Sequence, residues 1–424
     1  MSVKVAAEYV PKLVAVREYD EERDKVAVEE LERRCEEGQQ GKPSLVTDLM
    51  GDPICRVRPF PIHIMLVAEY GEGEGEIVGV IRGCVKTVTR GNSVYVKLAY
   101  ILGLRVSPMH RIRFDKNMRR VMLIPRIMEM SYSLSLTHIR LGIGTTLVQK
   151  LEEWCKQKGA EYAYMATDCT NEASINLFTI KCSYKKFRTP TMLVQPVHAH
   201  YKPIGSGIEI VKLTPQLSES IYRRIFANSE FFPGDIDSIL RNKLNYGTFM
   251  AFPKNFSWDP NAEIITNLPP SFAILSVWNT KEVFKLQVKG VSALAYAGCM
   301  GTRLLDACLP WLRLPSFPDV FRQFGVHVLY GLHMEGQHAS RLMKSLCAFA
   351  HNLARDDVGC GAVVAEVGQR DPVREAIPHW KRFSWAEDMW CIKRLGDESE
   401  KCEPSDWMNR QSSSSVIFVD PRDF

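Results

Sequence analysis

Two glycines at the start of an amphipathic helix constrain this chain more than any other feature. They lie in the run Gly142-Ile143-Gly144, and Leu147 and Leu151 continue the apolar face of the helix that follows. Residues without a Cβ let the backbone turn tightly, so several N–H groups can point at one phosphate group. The positive end of the helix dipole faces the same place. The sequence therefore predicts a loop that binds the phosphates of a cofactor.

The patterns around this loop predict a mixed sheet with helices on both faces. Apolar alternation predicts a strand, a helix, a hairpin and a further strand before the loop, and a strand, a helix and two closing strands after it. A similar order returns after residue 208, where Asp371 and Ile377 fall at nearly the spacing of Asn171 and Leu177. We therefore expect an α/β protein with a duplicated fold, whose second copy has lost one loop glycine.

Composition shifts suggest where these units begin and end. Residues 14–195 are expected to form the first unit, a linker rich in Pro, Gly and His follows at 196–207, and the second unit covers 208–396. Within the second unit, residues 272–278 and 283–288 are expected to pair as a hairpin, and 371–380 to form a helix. Residues 397–424 are expected to be a mobile tail in which 416–419 dock as a short edge strand.

Charge and cysteine content exclude several classes of protein. The net charge of +5 comes from evenly spread residues, so it does not indicate a nucleic-acid site. The twelve cysteines form no CxxC pair, and the paired histidines His198 and His200 have no third ligand in sequence, so no metal site is expected. No apolar run approaches the ~20 residues of a membrane helix. We expect a soluble protein of the nucleus or cytoplasm.

Three kinds of phosphate-binding loop compete for the glycine run. A P-loop requires GxxxxGK[ST], which the chain does not contain. A dinucleotide fingerprint requires a third glycine inside a strand–helix–strand unit, whereas this chain has Leu147 at the third position and hairpin-like strands before the loop. The remaining kind is a loop that binds the pyrophosphate of an acyl-coenzyme A.

The chain resembles the GNAT superfamily of N-acetyltransferases. In that family a strand leads into a (Gln/Arg)-x-x-Gly-x-(Gly/Ala) loop, followed by a helix, a strand and an Asn-led helix. The matching segments here are 102–108, 140–144, 163–167 and 171–178. Among such proteins the chain looks most like the plant Hookless-type N-acetyltransferases, and the supporting runs span nearly its whole length: 16–20, 48–56, 81–88, 230–238, 390–395 and 419–422.

This resemblance implies acetyl-coenzyme A as the co-substrate, an unidentified amine acceptor that could be a protein, and no nucleic-acid or membrane partner. The pyrophosphate would lie on backbone N–H groups of the loop, with Arg111 or Arg140 adding charge-assisted bonds. Strand 100–106 would part from strand 162–167 to admit the pantetheine arm, and the N–H near Leu104 would polarise the thioester carbonyl. The predicted cofactor contacts are Leu104, Arg105, Val106, Arg111, Arg140, Leu141, Gly142, Ile143, Gly144, Thr145 and Asn171, the last of which could instead simply cap its helix.

Acetyl transfer also needs a group that removes the proton of the amine. Glu69 and Asp168 stand near predicted strand ends and are the candidate bases, with solvated turn carboxylates as the alternative interpretation. Many family members place a tyrosine acid where this chain has Phe178, which cannot donate a proton. Tyr184 is the candidate replacement; Tyr164 is the second, although it is better explained by strand packing.

One departure from the family pattern interrupts the loop. In the family the loop arginine directly follows Ser-Pro-x-His, whereas here residues 112–139 separate His110-Arg111 from Arg140. One interpretation is a basic lid over the cofactor. The other, which we favour, is a splice or gene-model artefact, because a long insertion at a tight phosphate loop is hard to justify. The insertion is expected to weaken cofactor binding.

Two functions of different classes follow from these patterns. The resemblance implies an N-acetyltransferase that acts on a protein or small-molecule amine, in a plant regulator of differential growth and hormone response. The alternative is a non-catalytic regulator that keeps the fold, as a coenzyme-binding protein or a scaffold. Phe178, the lack of an obvious base and the interrupted loop favour the alternative. The retained loop glycines favour catalysis, which we place first.

Overall fold

The computed structural model describes most of the chain. The described residues are 14–36, 44–71, 75–110, 142–256, 258, 268–313, 316, 318–381, 384, 388–396, 407–408 and 416–424. The insertion 112–139 lies outside them, together with Arg111, Arg140 and Leu141, and so does most of the predicted tail before residue 416.

Single helices interrupt runs of one or more strands along the described residues. The strands are β1 (Val14–Glu18), β2 (Ser44–Asp48), β3 (Ile62–Tyr70), β4 (Glu76–Arg90), β5 (Tyr95–Val106), β6 (Tyr162–Asp168), β7 (Lys185–Arg188), β8 (Thr191–Pro196), β9 (Ile208–Leu213), β10 (Glu230–Pro233), β11 (Asn245–Pro253), β12 (Phe272–Asn279), β13 (Lys285–Lys289), β14 (Gly325–Glu335), β15 (Cys360–Val367) and β16 (Asp388–Arg394). The helices are α1 (Glu21–Glu36), α2 (Ile143–Gln157), α3 (Glu172–Asn176), α4 (Pro215–Ile225), α5 (Ile236–Arg241), α6 (Ala293–Cys308) and α7 (Ala339–Asp356). A π-helical turn at Leu177–Lys181 continues α3.

The first large sheet carries the glycine loop. Its strand order is β1-β3-β4-β5-β6-β16-β7, and β10 pairs with the end of β4. Helix α2 covers one face, where Ile143, Leu147 and Leu151 lie among apolar side chains of the central strands. These are residues whose helical spacing predicts a buried face, so the amphipathic pattern explains the packing.

The second large sheet repeats this plan. Its order is β8-β15-β14-β12-β11-β9, and α7 packs on it through Leu342, Leu346 and Ala350. In each sheet one pair of strands is parallel, β5 with β6 and β14 with β15. The predicted α/β class with mixed sheets is confirmed.

Each half of the chain gives its last strand to the sheet of the other half. Strand β8 closes the predicted unit 14–195 but pairs with β15. Strand β16 closes the predicted unit 208–396 but lies between β6 and β7. The division of the chain into two domains joined by the linker 196–207 stays a prediction. Because of the exchange, neither sheet is complete without a strand from the other half.

Two local predictions in the second half are wrong. Strand β13 does not form a hairpin with β12, because both edges of β12 are occupied by β11 and β14, and β13 pairs with β2 instead. Residues 371–380 do not form a long helix but a short 3₁₀ turn at Pro372–Glu375. Pro378 explains the early end, since proline disfavours helical backbone at the residue before it and lacks an N–H group.

Residues 416–424, here called the closing segment, pack between the two sheets. Ile417 and Val419 contact the face of the first sheet opposite α2, whereas Phe418 lies in the apolar cluster of the second sheet. Ile417 forms an isolated parallel bridge with Glu230, and the Phe418 N–H donates to the Glu230 carbonyl at 2.9 Å. The segment therefore contacts both sheets through alternate side chains.

Candidate functional site

The parallel strands β5 and β6 part at the middle of the first sheet. Their pairing runs from Leu98 opposite Tyr162 to Ile101 opposite Met165, and no further rung joins them within the described residues. Beyond this point β6 stays paired with β16. We call the gap between residues 102–106 and 166–168 the first fork. A parting of these strands is what the family resemblance predicts.

A glycine bulge turns β5 away at the fork. Gly103 has a φ of +62°, and the pairing of β4 with β5 shifts register between Val80 and Arg82. An added Cβ at Gly103 would lie 2.7 Å from Nη1 of Arg82. Arg82 is buried; Nη1 donates to the Gly103 carbonyl at 3.3 Å, and Nη2 pairs with Glu32. Helix α1, which carries Glu32, thus helps to hold the bulge.

The glycine loop places the start of α2 at the fork. Gly142 has a φ of +61°, its carbonyl accepts from the Thr146 N–H at 2.9 Å, and no described side chain caps the helix. The N–H groups of the first turn therefore have no acceptor within the helix. A Cβ at Gly144 would lie 3.3 Å from Leu177 and 3.8 Å from Val106, so the loop, the end of β5 and the turn after α3 meet there.

The other predicted cofactor contacts divide into two groups. Leu104, Arg105 and Val106 are half-buried at the edge of the fork, where a bound molecule could reach them. Asn171 lies in the open and caps α3, its Oδ1 accepting from the Ser174 N–H at 3.2 Å. Its predicted contact with a coenzyme stays a prediction.

Glu69 lies in an ion network that joins α1 to the sheet. Its Oε1 accepts from Arg17 and Arg23, each at 2.6 Å, and Arg17 also pairs with the buried Asp24. Two guanidinium groups thus neutralise the carboxylate and occupy one of its oxygens. These contacts are sufficient to explain a buried glutamate here, and a role as base stays a prediction.

Asp168 stands at the outer end of β6. Its Oδ1 accepts from the N–H of Thr170 at 2.6 Å and from its hydroxyl at 2.5 Å. Directly across the β6–β16 rung lies Asp388, whose pKa is raised by burial and by the Asp168 charge. A carboxyl with a raised pKa is better matched to accept a proton near neutral pH. Sequence reasoning missed Asp388, because its strand comes from the other half of the chain.

Tyr184 is buried in the apolar cluster between α2 and the first sheet. Its ring meets the ring of Phe178 edge-on, with centroids 5.2 Å apart. Burial and the neighbouring Glu152 carboxylate raise the pKa of Tyr184 well above its usual range. Lys393 pairs with Glu152 at 2.6 Å, and its Nζ lies 5.6 Å from the centre of the Tyr184 ring. The tyrosine therefore keeps its proton at neutral pH, as an acid requires, and its role in catalysis stays a prediction.

Comparisons with known proteins decide which family this site belongs to. Residues 125–184 match the acetyltransferase (GNAT) family. The chain is 48% identical to the probable N-acetyltransferase HLS1 of Arabidopsis thaliana, over 97% of this chain and all of that one. It belongs to this family of GNAT N-acetyltransferases. It is also 40% identical to the acetyl transferase GW6a of Oryza sativa subsp. japonica, over 97% of this chain and 98% of that one.

A solved structure shares the fold. A GCN5-related glucosamine N-acetyltransferase region of a fungal multi-domain β-N-acetylglucosaminidase matches with a TM-score of 0.52 at 14% identity, over 92% of this chain and 39% of that one. This likeness concerns the fold alone. None of the helices in the described ranges has the length and apolar character needed to cross a bilayer. The GNAT fold implies an acyl-coenzyme A as a partner of the chain.

Proposed function

We propose that this chain transfers the acetyl group of acetyl-coenzyme A to an amine, with the first fork as the binding site. The observation that carries the proposal is the meeting of three elements at Gly144: the start of α2, which no described side chain caps, the end of β5 where it diverges from β6, and the turn after α3. Helix N–H groups suit the pyrophosphate, and the edges along which β5 and β6 no longer pair with each other suit the amides of the pantetheine arm. Gly142 supports the assignment further, because an added Cβ there would meet no atom of the described residues within 4 Å.

In the reaction the amine attacks the thioester carbonyl, a C–N bond forms, and the C–S bond breaks to release the thiol. We assign the stabilisation of the developing oxyanion to a backbone N–H near Leu104, and the turn of β5 at the adjacent Gly103 supports this assignment. The proton of the amine has to leave, and the Asp168–Asp388 pair is the base that we favour over Glu69. Burial and the Asp168 charge both raise the pKa of Asp388, which supports its choice as the proton acceptor.

A coenzyme-binding protein without turnover is the second candidate. The observation in its favour is Phe178, which is buried against Tyr184 at the position of the family's tyrosine acid. On the strength of the likeness to HLS1, we also propose that the chain regulates differential growth and hormone response in a plant, in the nucleus or the cytoplasm. We propose further that the acceptor is an amine of a protein or of a small molecule.

The binding site can be tested by adding one negative charge at the loop. Thr145 is in the first turn of α2, where an acidic side chain favours the helix but would repel a phosphate. We expect Thr145→Glu to weaken acetyl-coenzyme A binding at least tenfold in titration calorimetry, about 1.4 kcal/mol. Gln149→Glu adds the same charge to an exposed position one turn further on and should leave the dissociation constant nearly unchanged. Equal binding by wild type and Thr145→Glu would contradict the assignment of the loop.

Deletion of residues 112–139 tests the insertion in the same assay. Tighter binding by the deletion form supports the expectation that the insertion weakens coenzyme binding. Equal binding by both forms contradicts that expectation. If neither form binds acetyl-coenzyme A, the transferase proposal fails and a scaffold role replaces it.

A further inference from the structure

The closing segment brings a cluster of charges into contact with the first sheet. Asp420 and Arg422 are 1% and 4% exposed, and they pair with each other at 2.8 Å. Arg422 also reaches Asp235 at 2.7 Å, which ties the segment to the second half of the chain. Lys86 of β4 is buried and faces this cluster, with Asp423 at 2.6 Å and Asp420 at 3.4 Å. Burial raises the pKa of Asp423, whereas the charges of Arg422 and Lys86 outweigh burial at Asp420 and hold its pKa below the usual range.

Asp423 is the centre of this cluster. Its carboxylate accepts from Lys86 of β4 and, at 2.6 Å, from the hydroxyl of Tyr164 on β6. Its backbone carbonyl accepts from the hydroxyl of Tyr100 on β5 at 3.1 Å and from Arg56 at 3.1 Å. One residue therefore bonds to three neighbouring strands of the sheet. Burial raises the pKa of both tyrosines, so both hydroxyls remain donors.

These bonds lie at the point where the strands part. Tyr100 and Tyr164 face each other across the rung that precedes Ile101 and Met165, the last paired residues before the first fork. Their rings stack with centroids 4.7 Å apart and planes 20° apart. Asp423 thus holds the final rungs of β5 and β6 from the face opposite α2. The direction in which each strand leaves depends on how these rungs are fixed.

A buried ionic cluster is an expensive way to fill space, because apolar residues of similar size would serve packing as well or better. What the charged and hydroxyl groups add is direction, since each hydrogen bond accepts only a narrow range of geometries. Because the cluster lies at the fork and not at an outer strand, its directional bonds can fix the orientation of the two strands that part there.

We propose that Asp423 is a positioning residue for the coenzyme site, which fixes the angle at which β5 and β6 part. The inference rests on the proposed function, because it supposes that an acyl-coenzyme A enters the fork. It predicts that the hydroxyl bonds to Asp423 matter more for coenzyme affinity than for stability.

The test removes these bonds without changing the packing. The double variant Tyr100→Phe with Tyr164→Phe keeps both rings and deletes both hydroxyls. The matched control is Tyr222→Phe, since Tyr222 of α4 is fully buried against the second sheet and its hydroxyl bonds to Ser276 at 2.7 Å. Each protein is assayed for thermal midpoint, for acetyl-coenzyme A affinity by calorimetry, and for amide exchange over residues 102–106 without ligand.

We expect the double variant to bind acetyl-coenzyme A at least fivefold more weakly than wild type, with faster exchange over residues 102–106. Tyr222→Phe should lower the thermal midpoint and leave both of these readouts unchanged. A folded double variant with wild-type affinity and wild-type exchange overturns the inference. If the wild type itself binds no acetyl-coenzyme A, the proposed function fails. In that event, unchanged exchange in the double variant also overturns the positioning role, and faster exchange supports its structural part.

Discussion

The two sheets each contain a fork, and the forks differ in what fills them. In the second sheet, the last parallel rung joins Leu329 to Ala365, and Gly331 has a φ of +60°, close to the +62° of Gly103. The first fork ends in half-buried strand residues, whereas the second is lined by residues 417–419 of the closing segment. They leave a cavity of about 10 Å³, room for about one water molecule. The same backbone plan thus gives one fork with an accessible edge and one that the chain itself fills.

The side chains around the two forks have diverged in keeping with this difference. One residue beyond the last rung, β6 has the exposed Ala166, and β15 has the buried Glu366. Helix α7 begins after Gly336-Gln337-His338 and therefore lacks the second loop glycine that α2 retains. We infer that a parting of the strands is not enough for coenzyme binding, which also requires an open edge and the loop glycines. The second fork should therefore not bind coenzyme.

The largest expected effect comes from removing the filling of the second fork. Phe418 is 2% exposed, and its ring meets the rings of Tyr222, Phe226 and Phe232. Phe418→Ala should lower the free energy of unfolding by about 3–5 kcal/mol, as measured by urea denaturation. Phe321→Ala, the same truncation at a half-buried site, should cost clearly less. The stoichiometry of acetyl-coenzyme A should stay near one in Phe418→Ala. A second bound coenzyme would mean that the closing segment alone had blocked the fork.

The next largest effect is the loss of stability when alanine replaces the glycine at the bulge of each fork, Gly331 or Gly103. A Cβ at Gly331 would lie 2.6 Å from the hydroxyl and ring of Tyr222, which is fully buried and cannot move aside. At Gly103 the closest atom is the end of the Arg82 side chain, which Glu32 holds but which has more rotatable bonds through which to adjust than a buried ring has. Left-handed backbone and overpacking together should make Gly331→Ala cost about 2–4 kcal/mol, and Gly103→Ala about 1–2 kcal/mol. Chemical denaturation measures both.

Gly298→Ala is the control for that pair, because it lies in α6 with nothing within 4 Å of its added Cβ. Alanine in a helix should leave stability unchanged or raise it slightly. If Gly103→Ala proves at least as costly as Gly331→Ala, the Arg82 side chain is as firmly held as Tyr222. The two forks would then be equally rigid.

Sequence patterns could predict the order of elements in the first half, because apolar alternation and the glycine loop are local signals. They could not predict that β8 and β16 change places, since the alternation of a strand does not identify the strand beside it. The same reason hides the Asp168–Asp388 pair and the contacts of Asp423, whose partners lie far away in the chain. Loop glycines are readable from sequence, whereas carboxylates brought together by an exchanged strand are not.

The smallest expected effect is a pH dependence of stability that arises from Glu366 at the second fork. Burial, with the Asp388 and Asp423 charges, raises the pKa of Glu366 to about 8, whereas the unfolded chain ionises it near 4.5. Between these values the folded protein holds the extra proton, so rising pH lowers its stability until about pH 8. Glu366→Gln removes this loss. From pH 5 to pH 8 the variant should gain at least about 1 kcal/mol relative to wild type in urea denaturation.

Asp371 provides the control for this prediction, since it lines the same cavity and burial raises its pKa only to about 6. For Asp371→Asn the relative gain should therefore be complete by about pH 6, whereas for Glu366→Gln it should continue to about pH 8. Parallel pH curves for the two variants would show that Glu366 is not singled out by its position beyond the last rung. The raised pKa of Glu366 would then be a consequence of burial alone. The difference between Glu366 and Ala166 would not distinguish a filled fork from an accessible one.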